Sequence, residues 1–101
     1  MIVVSQDGEK VCNTFSFTIC PIDYCDNEVP QWEIEECGEN CISHYVIMNN
    51  DGDYYATYDE KYEVENHLNN LIRAYTKNAS YFKFTKHEED EVRTYNPEEG
   101  E

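Results

Sequence analysis

The sequence predicts an α+β fold in which an antiparallel β-sheet of about five strands packs one face against a single amphipathic helix. Three observations lead to this prediction: apolar and polar residues alternate near the start of the chain, turn sequences rich in Asp, Asn and Gly separate short apolar runs, and one later segment has apolar residues at helical spacing. We expect one domain over residues 1–86, because a chain of 101 residues builds one modest hydrophobic core. Residues 87–101 are charged and lack periodicity, which predicts a flexible C-terminal tail.

The first predicted element is a β-hairpin. Residues 2–4 form a short strand of β-branched residues, and the Asp-Gly pair at 7–8 suits a tight turn. Residues 11–19 then alternate, with Phe15 and Phe17 on the apolar face. We therefore expect a half-buried pair of strands.

Residues 20–41 interrupt this pattern. They contain two prolines, four of the five cysteines and seven acidic residues without one base. We interpret this Cys-rich acidic segment as an insert or a long hairpin arm. Within it, residues 31–35 alternate like a short strand, which predicts that Trp32 and Ile34 face inward and that the glutamates between them face outward.

A second hairpin follows the insert. Residues 45–48 and 54–58 are predicted strands, and the Asn-Asn-Asp-Gly sequence between them has strong turn chemistry. Residues 81–84 form a last predicted strand.

The predicted helix covers about residues 60–76, with Asp59 as its cap. Its apolar stripe consists of Val64, Leu68, Leu71, Ile72 and Tyr75. We expect this stripe to pack on the strand face that carries Phe15 and Phe17, so that Leu68→Ala costs about 2–5 kcal/mol, as for buried leucines generally.

Charge is the most informative feature of the composition. The chain has 22 acidic and 7 basic residues, for a net charge of −15, and Lys10 is the single base in the first 60 residues. Such a surface repels nucleic acid and is complementary to a partner built to hold a phosphate backbone. No apolar run is long enough to span a membrane, and the first residues lack the basic region and apolar core of a signal peptide, so we expect a cytosolic protein.

The cysteines suggest a metal site as one alternative. Cys20-x4-Cys25 and Cys37-x3-Cys41 form two close pairs that could supply four thiolate ligands to a structural zinc ion. The competing interpretation is that these cysteines are reduced and packed as small apolar groups, because an odd number of cysteines in a cytosolic chain favours free thiols.

No catalytic motif is recognisable. His44, His67 and His87 are scattered, and the chain has no nucleophile–base motif, no Gly-rich phosphate loop and no metalloprotease signature. We therefore expect a protein that is not an enzyme.

The acidic surface offers the candidate contacts. Alternate residues of a strand repeat at about 6–7 Å, close to the spacing of phosphates along a nucleic-acid strand. Glu33 and Glu35 on the insert have this separation in sequence, as do Asp51 and Asp53 on the second hairpin. The predicted partner-binding residues are Glu33, Glu35, Glu36 and Glu39 on the insert with Asn50, Asp51, Gly52 and Asp53 on the hairpin.

The hairpin sequence also resembles a known family. The run Asn49-Asn50-Asp51-Gly52-Asp53-x-Tyr55, followed by a short polar stretch and an amphipathic helix, resembles the hairpin–helix region of small acidic phage-encoded anti-CRISPR proteins, which inhibit Cas9 as DNA mimics. In that family the acidic turn occupies the place where Cas9 would read the motif beside its DNA target. The resemblance thus implies that residues 50–53 contact the partner. This chain departs from the family in its initial β-hairpin and in its Cys-rich insert, and Tyr54 stands where an acid is expected.

These observations predict a cytosolic, non-enzymatic, phage-type inhibitor that needs no cofactor. It would bind a basic nucleic-acid-handling protein, such as a CRISPR nuclease, and block its nucleic-acid cleft. The alternative is a zinc-stabilised adaptor or assembly module that binds a protein without mimicking DNA. The response to salt separates the two, because a mimic in a basic cleft loses affinity as salt rises.

Overall fold

The computed structural model describes residues 1–13, 16–87 and 89–94. Within them the chain forms seven strands and two helices, which confirms the α+β class. In chain order the elements are β1 (Ile2–Val4), β2 (Val11–Cys12), β3 (Phe17–Ile22), α1 (Gln31–Cys37), a 3-10 turn (Gly38–Cys41), β4 (His44–Asn49), β5 (Tyr54–Tyr58), α2 (Lys61–Thr76), β6 (Tyr81–Lys83) and β7 (Glu91–Arg93).

The strands form two sheets, where the sequence predicted one. The first sheet has the order β2-β1-β6-β7, and the second has the order β3-β4-β5. Strands β1 and β2 form the expected hairpin, but β1 also pairs in parallel with β6. The alternating run over residues 11–19 is therefore divided between the sheets, since β2 ends in the first sheet at Cys12 and β3 begins the second at Phe17. Phe15 lies outside the described residues.

The core lies where α2 and the two sheets meet. Ile47 of β4, Leu71 of α2 and Phe82 of β6 are all fully buried and belong to one apolar cluster. Phe17 joins this cluster as a partly buried residue, and its ring centroid lies 5.3 Å from that of Tyr55. The expected packing of the helix onto the sheet is thus present.

Helix α2 buries a different stripe from the one predicted. Its buried residues are Val64, His67, Leu71 and Ala74. Leu68 is only partly buried, and Ile72 and Tyr75 are 44% and 53% exposed. The contact face is rotated by about one residue because β4 and β5 lie along one side of the helix and leave the Ile72 side open. Val64 and Leu71 keep their predicted core positions.

The ends of α2 follow local rules. The cap is Glu60, one residue after the predicted Asp59, and its N–H donates to the Glu63 carboxylate at 3.2 Å. Past the other end, Asn78 adopts a φ of 59°, a left-handed conformation that Asn tolerates better than most residues. The bounds Lys61–Thr76 confirm the predicted helix.

Part of the predicted C-terminal tail, residues 87–101, belongs to the folded domain. Strand β7 (Glu91–Arg93) pairs antiparallel with β6, and the Asp90 side chain is fully buried. Residues 89–93 therefore belong to the domain, because β6 offers them a free sheet edge. Residues 95–101 of the predicted tail lie outside the described residues.

Candidate protein-binding surface

The second hairpin presents two carboxylates on a rigid turn. The tip, residues 50–53, joins β4 to β5, and the Asn49 Oδ1 at its base accepts the backbone N–H groups of Asp51 at 3.0 Å and Asp53 at 2.9 Å. Gly52 has a φ of 84°, which a glycine adopts without strain. Because Asn49 fixes the backbone, both aspartate side chains project outward and are exposed.

Two hydrogen bonds join the tip and its neighbouring strand to other parts of the chain. The Asn50 Oδ1 accepts the Ser16 hydroxyl at 2.7 Å, so this predicted contact residue is already engaged within the chain. Lys10 donates its Nζ to the Tyr54 carbonyl at 3.2 Å. The single base of the first 60 residues thus lies beside the tip and offsets part of its negative charge.

The insert forms an arm, residues 23–41, at the other end of the same sheet. Residues 20–22 belong to β3, and the arm begins with a turn in which the Asp23 carboxylate accepts the N–H groups of Cys25 at 2.8 Å and Asn27 at 2.9 Å. Val29 is buried, and its N–H donates to the Pro21 carbonyl at 2.9 Å. The Val29 bond fastens the base of the arm to β3, and the Asp23 bonds shape the turn that follows the strand.

The arm carries a helix where a strand was predicted. Helix α1 (Gln31–Cys37) buries none of its residues, and Trp32 is 62% exposed, not turned inward. The sequence does contain the signal for this helix, since Pro30 precedes it and Gly38, at a φ of 66°, ends it. The short alternation over 31–35 was misleading because five residues fit either period.

The helix also changes where the predicted acids point. Glu33 and Glu35 are two positions apart on α1, so they lie on different sides of the helix and do not reproduce the spacing of phosphates. Asp51 and Asp53 lie in the turn before β5 begins and are likewise not alternate strand residues. Neither pair therefore has the predicted strand spacing, although all four side chains remain at or near the surface.

The two acidic regions do not form one cluster. In the β3–β4 register, Phe17 faces Asn49 at the tip end and Ile22 faces His44 at the arm end. Strand β4 separates the ends by five residue steps, or roughly 17 Å at the usual rise of an antiparallel strand. A partner that contacts both regions must extend along the whole length of the second sheet.

Acidic charge continues from the arm onto α2. Burial raises the pKa of Tyr45, and the carboxylates of Glu39, Glu60 and Glu65 raise it further, so the arm and the start of α2 converge around this ring. Lys61 Nζ lies 3.6 Å from Glu39 Oε1, with both side chains exposed. In the described part of the chain, this is the one ion pair that an acid of the arm or the tip makes.

The cysteines do not assemble into a metal site in this structure. Among residues 1–13, 16–87 and 89–94, no group of three or more His, Cys, Asp or Glu side chains is placed to hold a metal ion. None of the five cysteines is in a disulfide, and burial together with the Glu28 charge raises the pKa of Cys20. A raised pKa disfavours the thiolate that zinc needs.

A buried His–Asp pair is the polar feature that the sequence analysis missed. The His67 Nδ1 lies 2.7 Å from an Asp90 oxygen, and the Asp90 carboxylate also accepts from Asn70 at 3.0 Å and from the Thr85 N–H at 2.9 Å. The Tyr58 ring stacks on His67 with centroids 4.2 Å apart. These contacts tie the segment after β6 to α2. No spacing rule could have paired two residues so far apart in sequence.

A groove of about 890 Å³ runs along α2 beside this pair. Arg73, Lys77 and Lys86 line it, together with Glu63 and Glu89. Charges of both signs therefore meet here, in contrast to the acidic arm.

No described helix is long and apolar enough to cross a membrane. Comparison of the chain with models of protein families, with curated proteins and with solved structures gives no match.

Proposed function

We propose that this protein is a non-enzymatic inhibitor that binds a basic protein and occupies its nucleic-acid cleft as an acidic mimic. The observation that carries the proposal is the scarcity of ion pairs in the arm and the tip: within the described residues, the Glu39–Lys61 contact is the one ion pair that either region makes. Unpaired exposed carboxylates keep their hydration in the free protein and are available to cations of a partner.

The target class comes from the resemblance of the hairpin and helix to small acidic anti-CRISPR proteins. By that resemblance the partner is a CRISPR nuclease of the Cas9 type. The tip keeps the exposed carboxylates that such a contact needs, since Asn49 and Gly52 hold Asp51 and Asp53 outward. The host cytosol is the matching location, because a reducing compartment keeps the five cysteines, none of which is in a disulfide, as thiols.

The test is a competition experiment. The protein is titrated into a binding assay of a guide-loaded Cas9-type nuclease with its target DNA, at several salt concentrations. We expect the protein to displace DNA and to lose affinity steeply as salt rises, because charge pairs at a basic cleft are screened. Lack of competition across a panel of such nucleases would remove the proposal, and binding that barely responds to salt would favour the adaptor alternative.

Charge-reversal variants locate the contact. Asp51→Lys combined with Asp53→Lys should weaken inhibition, whereas Glu89→Lys combined with Glu91→Lys, an equal charge change on the C-terminal segment, should have a smaller effect. Circular dichroism should show both variants folded, because exposed positions contribute little to the core. Equal losses in the two variants would mean that net charge alone drives binding.

A further inference from the structure

Helix α1 displays a tryptophan that is mostly exposed. It is seven residues long, buries no side chain and leaves Trp32 62% exposed. Isolated helices of this length are marginal in water, so this one depends on the turns at its two ends and on the half-buried Glu33 and Ile34. The exposed part of the indole adds apolar surface to the arm.

The surroundings of Trp32 are acidic. Glu35 and Glu36 stand three and four residues after it, and side chains with these separations share one face of a helix. Both glutamates are exposed, and neither has a cation within ion-pair distance among the described residues. The face therefore combines one indole ring with two unpaired carboxylates.

This combination is complementary to arginine. A guanidinium stacks on an indole face by cation–π attraction and forms charge-assisted hydrogen bonds with carboxylates. A second copy of this acidic chain and a nucleic acid are both repelled by the same charges. Tryptophan is also among the residues that contribute most to binding energy at protein interfaces.

We propose that the face of α1 formed by Trp32, Glu35 and Glu36 is the main anchor for the partner and that it captures an arginine on a basic protein surface. The proposal rests on the proposed function in one respect, the positive charge of the partner. It assigns the anchor to the arm and leaves the hairpin tip as a secondary contact. The tip is the weaker candidate because Lys10 offsets its charge and Asn50 is already hydrogen-bonded.

The single tryptophan makes this proposal directly measurable. Trp32 is the only tryptophan of the chain, so its fluorescence reports on the arm alone. The intact protein is titrated with a short all-arginine peptide and with an all-lysine peptide of the same length. We expect the arginine peptide to change the Trp32 emission, to protect it from acrylamide quenching and to bind more tightly than the lysine peptide. Binding that leaves the emission unchanged, or equal affinity for the two peptides, would overturn the proposal.

Matched variants separate the anchor from net charge. Glu35→Gln with Glu36→Gln should weaken arginine-peptide binding by about tenfold, whereas Asp51→Asn with Asp53→Asn, which removes the same charge from the tip, should stay within about twofold. By calorimetry, Trp32→Ala should weaken binding by roughly two- to thirtyfold, the range of a cation–π contact, and Trp32→Tyr should recover most of it. Equal losses in the arm and tip variants would contradict the assignment.

Failure of this inference is distinguishable from failure of the proposed function. If the protein displaces DNA from a nuclease and Trp32→Ala displaces it equally well, the inhibitor role stands and the anchor is refuted. If the arginine peptide changes the Trp32 emission while DNA stays bound to the nuclease, the anchor stands and mimicry is refuted.

Discussion

The arm and the hairpin tip lie at opposite ends of the same three-stranded sheet and are both acidic, yet they are built in different ways. At the tip, the Asn49 side chain accepts two backbone N–H groups, and Gly52 takes the left-handed conformation that the turn requires. In the arm, the base is fastened to β3, but helix α1 buries none of its residues. The tip is therefore a structured turn, whereas α1 presents side chains that are exposed or half-buried.

The difference suggests a division of roles. Carboxylates on a rigid turn are pre-organised to meet fixed cations, and a contact of this kind costs little ordering entropy on binding. An exposed tryptophan on a short helix supplies apolar area, which the tip lacks apart from a partly exposed Tyr54. Inhibition that needed only the tip, or only the arm, would break this picture.

The largest expected effect concerns the core that supports both regions. Ile47 lies in β4 between the arm end and the tip end and is fully buried. Ile47→Ala should lower the free energy of unfolding by about 2–5 kcal/mol because it removes buried methyl groups and leaves a cavity. Chemical denaturation measures the change, and Ile72→Ala, at a 44% exposed position, is the control with less than about 1 kcal/mol. Similar losses of unfolding free energy in the two variants would show that Ile47 is no more part of the core than Ile72.

The Leu68→Ala expectation changes with the structure. Leu68 is only partly buried, whereas Leu71 is fully buried on the same helix. We expect Leu71→Ala to cost about 2–5 kcal/mol and Leu68→Ala to cost less, in the same denaturation experiment. A larger loss of unfolding free energy in Leu68→Ala than in Leu71→Ala would show that the predicted stripe of α2 faces the core.

The next largest expected effect tests the structure of the tip. Asn49→Ala leaves the N–H groups of Asp51 and Asp53 without their acceptor and should cost about 1–3 kcal/mol of unfolding free energy. Asn40→Ala, at an exposed position in the arm, should stay within about 0.5 kcal/mol. If both substitutions were neutral, the tip would be no more ordered than the arm.

A smaller expected effect is a change in the pKa values of two tyrosines, which report on the charge near them. Burial raises the pKa of Tyr55 to about 12, with further contributions from Cys12 and from the Asp53 charge, and burial followed by Glu39 raises the pKa of Tyr45. Asp53→Asn should therefore lower the pKa of Tyr55 and not that of Tyr45, and Glu39→Gln should do the opposite. Nuclear magnetic resonance titration of the tyrosine rings distinguishes them. A shift of both tyrosines in each variant would show that the two regions are electrostatically continuous.

The same raised pKa values set the response of the fold to alkali. A tyrosine in the unfolded chain loses its proton near pH 10, whereas Tyr55 keeps its proton in the folded state until about pH 12. The unfolded state therefore releases a proton first, so this contribution to stability is fully present below pH 10 and is lost between about pH 10 and 12. Denaturation curves across this range should show a decline that is weaker in Tyr55→Phe.

The smallest expected effect is that of metal removal. We expect protein purified without chelator to contain no stoichiometric zinc, and chelator to shift the unfolding free energy by less than about 0.5 kcal/mol, because Cys20, Cys25, Cys37 and Cys41 do not converge. Elemental analysis and denaturation with and without chelator check this. One equivalent of zinc whose removal unfolds the arm would instead support the zinc-stabilised adaptor.

Local signals explain why some elements were predictable from sequence and others were not. The β4–β5 hairpin and α2 were predicted nearly to the residue, because the turn residues and the helical spacing from Val64 to Leu71 act over short distances. Helix α1 was mistaken for a strand, although Pro30 and Gly38 mark its ends. The candidate contacts on the hairpin were placed correctly on an exposed turn, but the relation of Trp32 to the glutamates around it depended on the helix that was missed.

The net charge of −15, the α+β class and the chemistry of the hairpin turn follow from the amino-acid sequence alone. Each of these depends on composition or on residues within a few positions of one another. Three features became visible only in the folded chain: β1 pairs in parallel with β6, Asp90 contacts His67, and the arm and the tip leave opposite ends of one sheet. These features join residues that are distant along the chain, and such pairings are set by the packing of the whole core, which no local pattern encodes.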